Sequence, residues 1–347
     1  VARLARQQGL RLVTTDYERS VTFDLQGRPW GAERAIATDR QMEQWLARLE
    51  SRDSSGSLAE ATRNPPLPPD PRFLLTVNVE HEYGADLADL PTAYATGEGR
   101  RLEGEDVLLP GGLEPLVVTL ARDLRIRTGV TVTAIRQDAG GVRLTTSQGE
   151  VRGRQVCCTV PLGVLQSGTI RFEPDLPAAH RRAIARLGMG LLDKLVLRFP
   201  RPFWDPDLTL IRQQGPAPGL WAEWLNLMPV LGQPMLVGFN AGTVARELYH
   251  QPEAAVIASG LATLRRLYGS RVPEPTGGCL TRWGMDPFSR GSYSYLKLGA
   301  EPGDRQRLAQ PVGPLVFAGE ATSVDYPGTL QGAYESGLRA ARQLLEA

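Results

Sequence analysis

Of the 39 basic residues in this 347-residue chain, only Lys194 and Lys297 are lysines. An ammonium loses its proton readily on burial, whereas a guanidinium stays charged. Lys194 lies in "LLDKLVLRF", with apolar residues on both sides. On the outside of an alternating strand it would simply be solvated, paired with Asp193 or a neighbouring carboxylate. Desolvated, it would hold or pass a proton. A second candidate is "PLVFAGEATSVDYPGTLQGA", which reads as strand, loop and helix. Gly319 would allow a ligand close to the backbone, and the Glu320 carboxylate would accept from sugar hydroxyls. Gly328, Thr329 and Leu330 would stand at a helix N-terminus, whose free N–H groups suit a phosphate or a ring that takes up negative charge. An ordinary helix cap would look the same. Upstream, "RWGMDPFSRGSYSYLKLGA" sets Trp283, Phe288, Tyr293 and Tyr295 around Gly291 and Ser292. Such residues can wall a slot for a flat ligand or an amine, or form a core hairpin.

The elements that must position these residues follow from hydrophobic period and turn signals. The opening stretch predicts a helix and two strands, "LRLV" and "SVTFD", before a polar helix around Asp39–Leu49. Residues 51–72, rich in Ser and Pro, predict a surface loop or linker, with Ser57 and Glu60 placed for a capping box. A strand, a Gly-Gly turn and an amphipathic helix follow from Asp106. Residues 130–165 predict short strands with Gly turns, and Pro177–Leu187 a helix. Strands dominate from Lys194 to Phe239, and a helix covers about Glu253–Tyr268. The chain closes with a strand at "PLVFAGE" and a helix from Thr329 to Glu346. Leu330, Ala333, Tyr334, Gly337, Leu338, Ala341, Leu344 and Leu345 share its helical spacing.

Composition excludes several classes. Acidic residues number 38 and the net charge is +1, so no basic stripe invites nucleic acid. No apolar run approaches a membrane span, and the first residues lack a signal-peptide layout. Three cysteines, Cys157, Cys158 and Cys279, give no disulfide framework and favour a reducing, cytoplasmic setting. The three histidines are scattered, and no metal site is expected.

Four ordered blocks carry a family resemblance: "TVPLGVLQSGTIRFEPDLP", "RLGMGLLDKLVLRFPRPFWDP", "RWGMDPFSRGSYSY" and "FAGEATSVDYPGTLQGAYESGLRAA". Together they resemble the flavin-containing amine oxidases, most closely the polyamine oxidase and lysine-specific histone demethylase branch. The resemblance implies an α/β (α+β) fold of two domains, an FAD-binding domain and a mixed-sheet substrate domain with helices. It divides the chain into substrate segments 1–105 and 166–280 and FAD-binding segments 106–165 and 281–347. Lys194 falls where the family holds a water against flavin N5. Glu320 falls on the acidic residue of the ribityl–pyrophosphate stretch, beside Gly319. Gly328, Thr329 and Leu330 fall at the flavin pyrimidine edge, Trp283 at the flavin edge, and Val132 where a valine backbone holds adenine. Tyr293 matches an aromatic of the substrate chamber. Trp224 is read either as lining that chamber or as sheet core.

Three departures shape the expectation. The "GxGxxG" turn that opens the family pattern, and the acidic ribose ligand after it, are not found, so the chain is expected to start roughly 70–80 residues into that pattern. Ser292 stands where monoamine oxidases tether FAD through cysteine, so the cofactor is expected to be non-covalent. Thr329 replaces an aromatic, which favours the polyamine branch. The implied reaction consumes a small-molecule amine and O2 and yields H2O2. The competing readings are an L-amino-acid oxidase, which needs an arginine for the substrate carboxylate, and a truncated, non-catalytic binding fragment.

Overall fold

A computed structural model of the chain describes residues 1–50, 56–95, 100 and 104–346. The fold is mixed α/β, as expected, and divides into two compact units. The first comprises Val1–Thr96, Glu103–Leu120 and Leu191–Arg282; the second comprises Gly97–Leu102, Ala121–Gly190 and Trp283–Ala347. These divisions fall differently from the expected segment ends at 105, 165 and 280. Strand Val107–Leu108 pairs with Val13–Thr14 and so belongs to the first unit. Strand Arg171–Glu173 pairs in parallel with Val132–Asp138, which places the 166–190 stretch in the second.

The first unit is built on a six-stranded sheet. Its strand order is Gly277–Leu280, Leu192–Arg198, Met235–Ala241, Glu223–Asn226, Leu210–Gln213, Ser20–Phe23. All pairs are antiparallel except the last. Because side chains alternate along a strand, the register sorts them into rows on opposite faces. One row runs Leu195, Gly238, Trp224, Ile211. It packs against helix Glu253–Tyr268 through Val256, Leu261 and Leu264 and forms the core. Close approach depends on two glycines: a methyl on Gly238 would sit 2.8 Å from the Trp224 ring, and one on Gly260 2.6 Å from Leu195.

Of residues 51–72, expected as surface loop or linker, 51–55 lie outside the described residues, and the rest carries helix Leu58–Ala61 and the start of a second helix, joined by turns at 62–68. Ser57 and Glu60 form the capping box on helix Leu58–Ala61, and Leu58 and Leu67 are buried. The prolines start the next helix, Pro69–Leu75, at positions where a missing N–H costs nothing. That helix runs on through a π-helical turn, Thr76–Glu80, and His81–Tyr83, ending at Gly84 in the left-handed conformation.

The second unit contains a four-stranded sheet, order Gly149–Gly153, Gly141–Thr146, Val132–Asp138, Arg171–Glu173. It also has a parallel pair, Val156–Cys158 with Leu315–Phe317, and an antiparallel pair, Leu187–Met189 with Ser294–Leu296. Helix Leu330–Glu346 packs on the Leu315–Phe317 strand, and of the large apolar residues that mark its period Leu344 joins that contact while most do not. Leu330, Tyr334, Leu338 and Leu345 are exposed, while the buried stripe is Gly332, Ser336 and Ala340, four residues apart. Small side chains on that stripe let the helix lie close to the strand. Among the described residues no helix is long and apolar enough to cross a membrane.

Candidate functional site

In the second unit, strand Leu315–Phe317 runs out at Ala318 and Gly319. Gly319 has φ +122°, and a methyl built there would meet nothing within 4 Å, so the backbone presents an open face that a side chain would fill. The next residue, Glu320, organises its surroundings. Its Oε1 accepts from the Ser294 N–H at 3.1 Å; its Oε2 accepts from the Ser294 hydroxyl and the Gly328 N–H, both at 2.7 Å. The Ser294 hydroxyl in turn accepts from buried Arg305 at 2.6 Å. A carboxylate offers about four acceptor positions. Three serve the protein itself, so Glu320 is first a clamp on the backbone.

Gly328, at φ +68°, turns the chain into helix Leu330–Glu346. Thr329 caps that helix: its hydroxyl accepts from Gly332 N–H and donates to the Tyr326 carbonyl, both at 2.9 Å. The Leu330 N–H stands in the first turn, where no intrahelical acceptor exists. A methyl on Gly328 would sit 3.8 Å from Tyr293, so the aromatic stands beside the helix start. Thus Tyr293, Gly319, Glu320, Gly328, Thr329 and Leu330 are brought together. Trp283, an exposed aromatic, opens the 283–291 turn that leads to Tyr293, its carbonyl accepting from Gly291 N–H at 3.1 Å. Val132 sits elsewhere, opening strand Val132–Asp138 with its side chain against the core that holds Leu315 and Phe317.

In the first unit, Lys194 stands opposite Phe239, Phe239 opposite Glu223, and Glu223 opposite Arg212. This row lies on the face turned away from the core. Asp193, the neighbour that the bland reading set beside Lys194, is also held by other side chains. Its oxygens accept from the Thr281 hydroxyl at 2.9 Å and the Tyr249 hydroxyl at 2.6 Å. Burial lowers the pKa of the Lys194 ammonium from its ordinary value, and the nearby Asp193 charge offsets this only in part.

Trp224, the other aromatic considered for a chamber, is 0% exposed and lies in the core row beside Leu195. The core alternative holds for it, and the structure does not bring it to the Lys194 face. Its neighbour Glu223, unnoticed in the sequence, occupies that face. Glu223 Oε2 accepts from Arg212 Nε at 2.7 Å, and Oε1 lies 3.5 Å from His81 Nδ1. Burial alone would raise this carboxyl, but His81 and Arg212 together hold it below its ordinary pKa. His81 also lies against the Phe239 ring, with centroids 6.0 Å apart.

Comparison with known proteins gives this arrangement a context. The family model described as flavin containing amine oxidoreductase matches residues 19–345. FLOWERING LOCUS D of Arabidopsis thaliana is 40% identical over 251 residues, covering 70% of this chain and 32% of that protein. Polyamine oxidase 4 of Oryza sativa subsp. japonica is 38% identical over 241 residues, covering 69% of this chain and 49% of its own length. The chain thus spans about a third of the one relative and about half of the other. A structure of putrescine oxidase bound to putrescine superposes with TM-score 0.82 at 16% identity, covering 100% of this chain and 85% of the other, so the fold is shared.

The cofactor of this family is FAD. The residues present fit part of it: the open backbone face at Gly319, the capped helix start with the Leu330 N–H, and Tyr293 beside them suit the edge of a flat, electron-accepting ring.

Proposed function

Since this chain belongs to the flavin containing amine oxidoreductases, we propose that it takes part in the oxidation of an amine. The overall reaction is amine, O2 and water to aldehyde, ammonia and H2O2. FAD, when bound, supplies the two-electron acceptor and returns the electrons to dioxygen. The chain's own residues do the rest. Gly319, Gly328, Thr329 and Leu330 hold and orient the ring, and the helix start offers fixed partial positive charge where negative charge develops. Lys194 holds a water by hydrogen bonding and accepts or returns its proton as the imine is hydrolysed. Tyr293 limits the space open to the substrate.

The observation that carries this reading is Lys194 itself. It is a half-buried lysine with a lowered pKa, on the sheet face away from the core, whose neighbouring carboxylate is engaged by Thr281 and Tyr249. An L-amino-acid oxidase would need an arginine for the substrate carboxylate. Arg212 stands in the right row, but its guanidinium is already paired with Glu223. The test is peroxide release by the flavin-loaded protein with mono-, di- and polyamines and a panel of amino acids. Turnover of amines and not of amino acids is expected. Turnover of amino acids alone would replace this reading with the second, and no turnover of any would leave the fragment reading.

A further inference from the structure

The structure assigns a strand-addition site to the second unit: the free edge of strand Arg171–Glu173 receives an extended peptide in which acidic and apolar residues alternate. The assignment stands apart from the amine-oxidation reading.

The site is a cavity of about 640 Å³ between that strand and helix Ala178–Arg186, within the usual size of ligand pockets. Four consecutive residues, Ile170, Arg171, Phe172 and Glu173, all line it. Successive side chains of a strand point to opposite faces, so one space touches all four only by running along the strand's edge. That edge is open. The strand is last in its four-stranded sheet and pairs with Val132–Asp138. Among the described residues its backbone has no second partner. The opposite wall is one helix face, since Arg181, Ile184 and Ala185 stand at i, i+3 and i+4. An open edge facing a helix across a groove takes up an extended peptide as one more strand.

The two faces of the strand decide the peptide's chemistry. Ile170 and Phe172 belong, with Leu165, Leu176 and Ile184, to the core that holds Phe317. Side chains of an added strand on that side meet an apolar floor. Arg171 and Glu173 occupy the other face. Glu173 is already answered by Arg136 Nε at 2.6 Å, while Arg171 comes only within 3.9 Å of it and is 74% exposed. The charge left uncovered there is a guanidinium, which calls for a carboxylate. On the helix wall, Arg181 and Asp175 lie 3.5 Å apart and balance each other. Apolar residues at alternate positions with acids between them therefore match both faces.

The test is calorimetry of acetyl-Glu-Val-Glu-Ile-Glu-amide on the purified full chain, with two doubly N-methylated forms. One carries its methyls on the valine and isoleucine nitrogens, the other on the second and third glutamate nitrogens. Alternate N–H groups of a strand point the same way, so one form should lose about tenfold or more in affinity, the scale of two backbone hydrogen bonds. The other should stay within about threefold of the parent. Lysine in place of the glutamates, or Arg171→Gln, should weaken binding by about threefold. Ala185→Trp, at an exposed position on the helix wall, should fill the groove and weaken binding by about tenfold or more. No binding of the parent peptide at about 1 mM overturns the site. Equal binding of both methylated forms overturns strand addition, and binding of decanoate as tight as that of the peptide makes the groove a small-molecule pocket instead. Both of these arms use the wild type, so they decide even if Ala185→Trp does not fold. A lysine peptide that binds as well as the parent overturns the acidic pattern.

Discussion

The N–H of Gly328 donates to Oε2 of Glu320 across 2.7 Å, and this single bond fixes the end of one strand to the start of one helix. With the two bonds from Ser294, the carboxylate sets the height at which the Leu330 N–H is presented. Glu320→Ala removes both oxygens and with them all three bonds, and strands the buried Ser294 N–H. A loss of roughly 2–4 kcal/mol is expected from urea denaturation. A loss below about 0.5 kcal/mol would contradict the clamp.

Lys194→Met should leave folding intact and slow flavin reduction or reoxidation by about 10²-fold or more, the scale of a positioned acid–base group. Lys194→Arg should not restore the rate, because a guanidinium keeps its proton. Stopped-flow traces of both half-reactions within about threefold of wild type would make Lys194 structural.

Two glycines of one helix make a matched pair. A methyl on Gly332 would overlap the Tyr326 carbonyl oxygen, which is backbone and cannot move aside. Gly332→Ala should therefore cost on the order of 2 kcal/mol or more and disturb the helix start. At Gly337 a methyl meets nothing within 4 Å, so Gly337→Ala should stabilise by about 1 kcal/mol through helix propensity. Thermal unfolding of the two variants should move in opposite directions.

Burial raises the Glu80 pKa from its ordinary 4.5 to about 7, helped by the Asp86 charge and opposed by the Leu87 N–H and Arg72. The folded value lies above the unfolded one. Its contribution is therefore fully present below about pH 4.5 and is lost as pH rises through about 7. Glu80→Gln keeps the acceptor and removes the titration. Its stability relative to wild type should improve between pH 5 and pH 8 by on the order of 1–3 kcal/mol. Parallel curves for the two proteins would refute the assignment.

Ser292 cannot form a cysteinyl thioether, and Cys157, Cys158 and Cys279 stand in other parts of the chain. Acid precipitation of the flavin-loaded protein should leave the yellow colour in the supernatant. Colour in the pellet would require another attachment residue.

What the sequence revealed depended on whether local pattern or distant register decided the outcome. Helix Glu253–Tyr268 was legible to the residue because its caps and period are local. Lys194 stood out by rarity alone. The face of Trp224 could not be read locally, since a shift of one residue exchanges core for site, and only pairing with Met235–Ala241 settles it. Glu223 was missed for the same reason: a lone acid in a strand has no signature until its neighbours across the sheet are known. The packed stripe of Gly332, Ser336 and Ala340 was hidden behind larger apolar residues that carry the periodic signal but mostly face outward. The π-helical turn that brings His81 to Glu223 has no marker in composition.

The six-stranded sheet separates two kinds of inheritance. Leu195, Gly238, Trp224 and Ile211 are interlocked, since Gly238 exists to receive the Trp224 ring and neither can change without the other. Phe239 and Glu223, each one position away, carry no such mutual obligation to the core. Single substitutions at Phe239 or Glu223 therefore leave the interlocked row untouched, whereas a change at Gly238 or Trp224 reaches through the whole sheet.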